Sequence, residues 1–513
     1  MASSSGSMRR PVWTDAIHVS CLVPTAAFAT LLLDLAATTV LVPLLPTYSS
    51  LTAGQTSLVF LCKPVAEMLA NLLAVGPSFA DHCGPRWPAM LGLLTVAASQ
   101  TLLIGDTLYV LVTGRVIGGL GASLCVPALL KLVTLTFGAE PKVRDRVIAL
   151  ALAGDALGGV VGPVFGSVFF SLARVLGAGT SAARALPLMV IAGLCLCTAT
   201  ILLCVRNETT RGSSSSSMKP ALPLSAILSR RDVWLVAVPG LIFGVTSFQI
   251  GLLEPTMPFL LLNLGEADSG YLWAFVGLGF MATAPISIWF VSLLHDLSGG
   301  DGATEEGTTG GGGGGGPSSS ARKSPAVSPA NGAMTAALRY AWASISLGSV
   351  LMLVYSVALL VLANRLPASE TQPGGPPPST GWVLGFSVAM TVLGFSLGMT
   401  YVPVNTFTQD LTLRLLDESA IARMLGFLQG AKNTGLVLGY IVGPTLLNPM
   451  NAGFNAPSGF ATLALVLLAS AVVVGVTALG LRIVVLQLLP GSSPGESSAL
   501  LAAGAKEKGG GVA

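Results

Sequence analysis

The feature that most constrains this chain is a succession of twelve apolar runs, each about as long as a membrane-spanning helix. A helix needs about 20 mostly apolar residues to cross the hydrocarbon core of a bilayer. The runs cover residues 20–44, 56–79, 88–105, 108–137, 145–171, 185–205, 233–262, 269–294, 334–364, 380–410, 420–447 and 458–488. The pattern therefore predicts an all-α integral membrane protein with twelve transmembrane helices.

The composition agrees with that prediction and excludes other classes. Only 10% of the residues are charged and 52% are hydrophobic, whereas soluble domains carry about 25% charged residues. A net charge of +3 spread over 513 residues provides no basic surface for nucleic acid. We therefore expect the lipid bilayer to be a partner and expect no nucleic-acid partner.

Three polar or low-complexity stretches divide the chain. Residues 206–232 contain a serine run, 295–333 contain seven consecutive glycines, and 489–513 are rich in Gly, Ser and Ala. Such compositions bury too little apolar surface to offset the entropy of ordering. We expect an N-terminal six-helix half at 1–205, a cytosolic central loop at 206–232, a C-terminal half at 233–488 with a disordered insert at 295–333, and a disordered cytosolic tail at 489–513.

The basic residues predict the orientation of the spans. Of the 26 Lys and Arg residues, 19 fall in or beside the two termini and the even-numbered connections, and three fall in odd-numbered connections. Because basic loops stay on the cytosolic side, we expect both termini in the cytosol.

The two halves repeat short motifs in the same order. GxxxGxxxGP occurs in the fifth and eleventh runs, DxxG follows the second and eighth, and PxxP ends the first and seventh. Small residues at this spacing let helix backbones approach closely in lipid. The predicted helix-packing residues are Gly154, Gly158, Gly162, Pro163, Gly435, Gly439, Gly443 and Pro444. The repeat predicts two pseudo-symmetric six-helix halves, an architecture of secondary transporters.

Several of these motifs resemble those of the major facilitator superfamily. Residues 76–86 are similar to its cytosolic loop motif, 115–121 to its fourth-span motif, and 154–166 to the fifth-span motif of its proton-drug antiporters. The resemblance implies that a cytosolic gate is formed by Gly76, Asp81, Gly84 and Arg86, with Asp296 as the weaker counterpart in the second half.

A narrower resemblance is to the vesicular monoamine and acetylcholine transporters. It rests on residues 31–47, on residues 253–258, and on Lys63 in the second span. The resemblance implies exchange of lumenal protons for cytosolic amines. Two acids of that branch are absent, because Tyr401 and Asn433 stand in their places in spans 10 and 11.

Ionisable residues at membrane depth are costly and therefore mark candidate functional sites. Asp34 and Glu254 are the leading candidates, because a carboxylate can hold either a proton or an ammonium and so exchange the two. A structural ion pair is the alternative for each of them. The predicted substrate- and proton-binding residues are Asp34, Glu254, Lys63, Glu67, Asp155, Arg115, Tyr401 and Asn433.

Two of these acids have an open interpretation. Glu67 and Asp155 could replace the proton sites missing from spans 10 and 11. Alternatively, Glu67 could neutralise Lys63 four residues earlier, and Asp155 could pair with a basic neighbour such as Lys131. Arg115 is expected to order its own region or to serve a proton relay.

The sequence thus predicts a secondary transporter, specifically a proton-coupled antiporter of small organic cations that works by alternating access. Two alternatives remain: a broad multidrug-proton antiporter of the same fold, and a non-transporting sensor built on a carrier fold. No catalytic constellation, metal-ligand spacing or phosphate loop is present in the sequence, so we expect no enzyme activity, cofactor or metal. An acidic dileucine-like segment in the tail fits a vesicular or vacuolar membrane, and the plasma membrane is the alternative.

Overall fold

The computed structural model describes residues 21–48, 51, 53–73, 75–137, 141–205, 234–260, 272–283, 286, 329–365, 379–415, 421–447 and 456–488. These residues are almost entirely helical. The helices are α1 (Val23–Thr39), α2 (Leu41–Leu44), α3 (Ala53–Leu72), α4 (Val75–Cys83), α5 (Arg86–Leu102), α6 (Leu108–Phe137), α7 (Pro141–Val175), α8 (Thr180–Cys204), α9 (Trp234–Leu260), α10 (Leu272–Thr283), α11 (Pro329–Arg365), α12 (Thr380–Leu415), α13 (Ile421–Leu447) and α14 (Ala456–Leu488).

Eight helical stretches within the described residues are long and apolar enough to cross a membrane. They run over Val23–Leu44, Leu108–Phe137, Arg146–Val175, Thr180–Cys204, Ala237–Thr256, Ala341–Arg365, Thr380–Asn405 and Ala461–Leu481. Their outer faces carry large exposed apolar side chains, such as Leu353, Val354, Val476 and Leu479. A surface of this kind is stable against lipid hydrocarbon rather than water. The protein is therefore a multi-pass integral membrane protein.

Helices also lie at the other four predicted spans. These are α3, α5, α10 and α13, which are shorter or more polar than the eight. The second predicted span, 56–79, differs from the expectation because α3 ends at Leu72 and a separate helix, α4, begins at Val75. The ninth predicted span begins earlier than expected, since α11 starts at Pro329, inside the segment predicted to be disordered. Residues 206–232 and 489–513 lie outside the described residues.

The first membrane span ends in a tightened segment. Helix α1 gives way at Val40 to the short helix α2 and then to a 3₁₀ turn at Leu45–Thr47. Pro43 and Pro46 lie in this segment, and proline lacks the amide hydrogen that an ordinary helix interior requires. The PxxP motif therefore marks the end of the first long helix.

The helix contacts follow one pattern in both parts of the chain. Helix α1 packs on α7, α5 on α6, and α5 on α8. In the second part, α9 packs on α13, α11 on α12, and α11 on α14. Counted by predicted span, the N-terminal pairings are 1 with 5, 3 with 4 and 3 with 6. The C-terminal pairings are 7 with 11, 9 with 10 and 9 with 12, so each span number is higher by six. The main contact between the two parts joins α3 and α13.

The glycine repeat lies in equivalent helix contacts. A methyl group on Gly158 of α7 would come within 2.2 Å of the Leu32 carbonyl oxygen of α1. A methyl group on Gly435 of α13 would come within 1.8 Å of the Gly244 carbonyl oxygen of α9. The neighbouring glycines 154, 162, 439 and 443 are similarly close to the facing backbone or side chains. Only a hydrogen fits at these points, so the motif sets the distance between the helix axes.

Replacing Gly158 with leucine is expected to prevent assembly of the N-terminal helices. The facing atom is a backbone carbonyl, which cannot move aside without shifting α1, and overpacking of this kind costs about 1–3 kcal/mol or more. Gly193→Leu on α8 is the matched control, because nothing lies within 4 Å of a methyl group there. Monodisperse yield in detergent and the thermal unfolding midpoint check the difference. Equal yields and midpoints for the two variants would contradict it.

A polar cluster lies at the end of the first span. The Arg184 guanidinium lies 3.9 Å from the centre of the Tyr48 ring and forms an ion pair with Asp106. The Tyr48 hydroxyl donates a 2.6 Å hydrogen bond to the carbonyl of Leu103. Burial raises the pKa of the Tyr48 phenol to about 12, an effect that Arg184 partly opposes. This cluster ties the end of the first span to α8 and to the α5–α6 connection.

The Tyr48 contribution to stability should be lost at alkaline pH. The folded state raises the pKa of this phenol above its usual value of about 10, so the unfolded chain loses the proton first. The contribution is therefore complete below pH 10 and decreases as the pH rises towards 12. At neutral pH, Tyr48→Phe should be less stable by about 1 kcal/mol. Thermal unfolding midpoints should show a gap between wild type and variant that narrows from pH 10 to 12, and a constant gap would contradict the assignment.

Candidate functional site

A small internal cavity of about 90 Å³ lies where the N-terminal and C-terminal helices meet. Its walls combine acids, one lysine, hydroxyl groups and aromatic rings. The polar and aromatic lining residues are Thr38, Thr39, Asp155, Glu254, Trp273, Phe280, Tyr401, Lys432 and Tyr440. Charged groups converge here from α7, α9 and α13, three helices that are far apart in the sequence. This cavity is the candidate functional site.

Asp34 lies beside the cavity in an ion pair with Lys63. Lys63 Nζ is 2.8 Å from Asp34 Oδ1, and it also donates hydrogen bonds to Thr38 Oγ1 and to the Asp34 carbonyl oxygen. The side chains of Lys63 and Asp34 are 7% and 13% exposed. Lys63 therefore directs its ammonium at α1, on the neighbouring span, rather than at Glu67 of its own helix.

Glu254 is buried in α9 and accepts a hydrogen bond from the Tyr440 hydroxyl of α13. The ring of Tyr440 lies 5.8 Å from that of Phe60 on α3, and the Arg115 guanidinium of α6 lies 5.8 Å from the same Phe60 ring. Arg115 Nε donates to the Val59 carbonyl at 3.2 Å. Arg115 therefore contacts α3, behind the cavity wall, and is not among the cavity-lining residues.

Asp155 of α7 faces Lys432 of α13 across the cavity. Lys432 Nζ lies 3.8 Å from Asp155 Oδ2 and 6.0 Å from the centre of the Phe243 ring. The side chains of Lys432 and Asp155 are 18% and 14% exposed. The basic partner of Asp155 is thus Lys432, in the C-terminal part of the chain, rather than Lys131.

Glu67 and Asn433 lie together at the α3–α13 contact. Both side chains are buried, and Asn433 is among the polar and charged neighbours of Glu67. Within the described part of the chain, Asn433 Nδ2 has no hydrogen-bond acceptor, and neither polar atom of Asn71 has a partner. The structure thus places Glu67 in a polar region beside the cavity, separate from Asp155.

Tyr401 joins the cavity through its ring and hydroxyl. The hydroxyl is 2.7 Å from Ser247 Oγ. Its ring lies 4.4 Å from that of Phe243 and 5.9 Å from that of Phe280. Such rings offer negative faces to an ammonium group. Asn405, one turn later, donates to the Tyr401 carbonyl at 2.8 Å and therefore supports its own helix.

Four of the five predicted gating residues lie in α4, in the turn that follows it and at the start of α5. Gly76 of α4 contacts the Ser123 carbonyl of α6, where a methyl group would come within 2.2 Å. Gly84 adopts a φ of 81° in the turn between α4 and α5, a conformation that favours glycine. Arg86 donates to the Leu203 carbonyl at the end of α8. Asp81 is within α4, and Asp296 lies outside the described residues.

A larger cleft of about 590 Å³ lies between α9, α13 and α14. Its lining is almost wholly apolar and includes the exposed side chains Leu241, Leu438 and Val473. None of the described residues that line it is charged. The small polar cavity, where charged side chains converge, is therefore the candidate site.

Sequence reasoning assigned no role to six of the nine polar and aromatic residues that line the cavity, which are Thr38, Thr39, Trp273, Phe280, Lys432 and Tyr440. Tyr440 directly follows Gly439 of the glycine repeat, and that position could have indicated a side chain beside the α9 contact. The partners themselves depend on helix packing, which the spacing does not specify.

Comparison with known proteins identifies the family of this chain. The model of the Major Facilitator Superfamily matches residues 26–297, which is more than half of the chain. The chain belongs to the Major Facilitator Superfamily. This is a family of membrane transporters and not of enzymes, in agreement with the expectation from the sequence. Among the described residues, no group of three or more His, Cys, Asp or Glu side chains could hold a metal ion.

Within this superfamily, the chain is distantly similar to vesicular transporters. It is 25% identical over 239 residues to a probable vesicular acetylcholine transporter-B of Danio rerio, covering 44% of this chain and 45% of the relative. It is 26% identical over 220 residues to the vesicular acetylcholine transporter of Homo sapiens (42% and 38%), and 25% identical over 207 residues to the chromaffin granule amine transporter of Rattus norvegicus (40% and 36%). These matches span less than half the length of each relative.

Proposed function

We propose that this protein is a proton-coupled antiporter of small organic cations. The observation that carries the proposal is the cavity between the two parts of the chain, where Glu254 and Asp155 lie among the aromatic rings of Tyr401, Tyr440 and Trp273. Carboxylates with aromatic faces are the groups that bind ammonium ions. The distant similarity to acetylcholine and amine transporters supports the same substrate class.

Exchange follows from the chemistry of a carboxylate. A protonated acid is neutral and releases an ammonium, while the ionised acid attracts one. Glu254 is the acid we assign to this competition, because it is buried, lines the cavity, and is oriented by the Tyr440 hydroxyl. Coupling arises when the two facing states of the carrier differ in affinity for proton and substrate.

Asp34 belongs to the same machinery through its ion pair with Lys63. Protonation of Asp34 would release the Lys63 ammonium from α1, so that the contact between two spans responds to the proton. Glu67, beside Asn433, is the further candidate proton site that replaces the acids missing from spans 10 and 11. Arg115 and Asn433 act as supporting groups of this network.

The architecture we propose has twelve spans in two six-helix halves, residues 1–205 and 233–488, joined by the cytosolic loop 206–232 and followed by the cytosolic tail 489–513. The shared pairing pattern and the paired glycine motifs support this arrangement. Both termini are assigned to the cytosol from the basic residues. The residues 76–86 form the cytosolic gate. The membrane is vesicular or vacuolar, with the plasma membrane as the alternative.

Uptake into proteoliposomes with an acidic interior tests the proposal. Labelled monoamines, choline esters and polyamines are offered outside, with and without a protonophore. Uptake that collapses with the protonophore establishes proton-cation exchange and identifies the substrate class. Weakly selective uptake of many apolar cations would instead identify a multidrug antiporter. Absence of flux from folded, correctly oriented protein would leave the sensor alternative.

Replacing Glu67 and Asp155, the acids that could substitute for those missing from spans 10 and 11, gives a separate expected result. The double variant Glu67→Gln/Asp155→Asn should retain less than about a tenth of the proton-driven uptake, since each removed carboxylate takes away a charge that is worth more than 1.4 kcal/mol at membrane depth. The rate of proton efflux induced by the transported amine is the measurement. Full proton-coupled uptake by this variant would contradict their role.

A further inference from the structure

The two ion pairs near the cavity differ in how firmly they are held. Lys63 Nζ lies 2.8 Å from Asp34 Oδ1 and donates two further hydrogen bonds, to Thr38 Oγ1 and to the Asp34 carbonyl oxygen. All three acceptors belong to α1. Lys432 Nζ is 3.8 Å from Asp155, which is longer than a direct hydrogen bond. The Lys432–Asp155 contact is therefore held by charge attraction and can be displaced more easily.

The partners of the loose pair are anchored to different parts of the molecule. Helix α7, which carries Asp155, is fixed to α1 by Gly154 and Gly158. Helix α13, which carries Lys432, is fixed to α9 by Gly435. Each charged side chain thus belongs to a rigid pair of helices, and the ion pair joins the two pairs.

The ammonium of Lys432 occupies the environment that an organic ammonium would need. It faces a carboxylate, it lies 6.0 Å from the centre of the Phe243 ring, and its side chain lines the cavity with Tyr401 and Glu254. An incoming ammonium would meet the same carboxylate already neutralised. One carboxylate oxygen cannot hold two ammonium groups equally well at membrane depth, because their charges repel each other.

We propose that Lys432 is an internal competitor for Asp155: its ammonium neutralises the carboxylate while the cavity is empty, and the ammonium of the substrate displaces it. The inference rests on the proposed function and assigns Asp155 as a second carboxylate that binds the substrate ammonium, beside Glu254. Lys432 then determines affinity, since every bound ammonium must first overcome the internal ion pair. Lys432 also keeps Asp155 neutralised, without a proton, in the substrate-free carrier.

Binding to the purified full-length chain tests the inference without any gradient. The probe is 2-phenylethylammonium, with uncharged 2-phenylethanol as the matched control ligand. Titration calorimetry and the concentration-dependent rise of the unfolding midpoint report the dissociation constant. Lys432→Met should bind the probe about tenfold more tightly than wild type, a change of about 1.4 kcal/mol. Lys432→Arg retains the competing charge and should bind no more tightly than wild type.

The double variant separates competition from general charge repulsion. Asp155→Asn should weaken binding of the probe, and Asp155→Asn/Lys432→Met should bind no more tightly than Asp155→Asn, because there is no longer a carboxylate to compete for. The double variant also contains no unpaired charge from this pair, so it can still be measured if Lys432→Met does not fold. A double variant that binds more tightly than Asp155→Asn overturns the inference, as does equal or weaker binding by folded Lys432→Met.

The outcomes also separate this inference from the proposed function. Binding in the expected order without gradient-driven uptake by wild type would overturn antiport and keep the competitor role of Lys432. Gradient-driven uptake by wild type, together with no gain in affinity for Lys432→Met, would overturn the competitor role alone. Failure of every variant to bind the probe would overturn the competitor role as well.

Discussion

Replacing Glu254 with glutamine is expected to reduce gradient-driven amine uptake about 100-fold. The glutamine side chain has almost the same shape but can neither take up a proton nor attract an ammonium by charge. Removing one member of a buried, hydrogen-bonded charge interaction costs about 2–5 kcal/mol. Initial rates in proteoliposomes, normalised to the amount of correctly oriented protein, measure the loss.

The Tyr440 hydroxyl provides a graded control for this result. Tyr440→Phe keeps the ring contact with Phe60 and removes the hydrogen bond to Glu254. It should lower uptake about tenfold, since a hydrogen bond to a charged group is worth about 1.5–3 kcal/mol. Tyr355→Phe is the matched control, because Tyr355 is equally buried in α11 and is not among the cavity-lining residues. The Glu254→Gln prediction fails if this variant takes up the amine at the wild-type rate, and Glu254 would then have no part in the mechanism.

Breaking the Asp34–Lys63 ion pair should destabilise the protein more than any other single charge removal in the N-terminal helices. Lys63→Met leaves the Asp34 carboxylate buried without its counter-charge, and removal of one partner of a buried pair costs about 3–5 kcal/mol. Thermal or denaturant unfolding in a fixed detergent measures the change in the free energy of unfolding. The loss should be evident as a lower unfolding midpoint and a lower monodisperse yield.

The double variant Asp34→Asn/Lys63→Met completes a double-mutant cycle with the single variants Asp34→Asn and Lys63→Met. It removes both charges and should recover much of the stability that either single variant loses, giving a coupling free energy of about 1–3 kcal/mol. It should not recover proton-driven uptake, because Asp34 can no longer exchange a proton. Additive losses of stability in the cycle would contradict a direct ion pair. Recovery of uptake by the double variant would restrict Asp34 to a structural role.

The sequence predicted the class of this protein well because hydrophobicity and spacing are local properties. Helices lie at all twelve predicted apolar runs within the described residues, and eight helical stretches are long and apolar enough to cross a membrane. The family assigned from residues 76–86, 115–121 and 154–166 agrees with the family comparison. The main differences concern helix ends, such as the separation of α3 from α4 and the early start of α11 at Pro329.

The charged residues show where sequence reasoning stopped. Helical spacing alone favours Glu67 as the partner of Lys63, four residues away on the same helix, and proximity in the chain suggests a basic neighbour such as Lys131 for Asp155. In the structure Lys63 pairs with Asp34 and Asp155 with Lys432. The first pair joins α3 to α1 and the second joins α7 to α13, and the linear spacing of the residues contains no information about contacts between different helices.

By itself, the sequence determined that the chain must cross a membrane, because long apolar runs can satisfy their backbone hydrogen bonds in lipid only as helices. It also determined which residues are costly there, since an ionisable side chain at membrane depth is unfavourable in any arrangement. The tertiary structure alone decided how those charges are compensated. Compensation depends on distances of a few ångströms between helices that are separated by tens to hundreds of residues, and side-chain packing sets those distances.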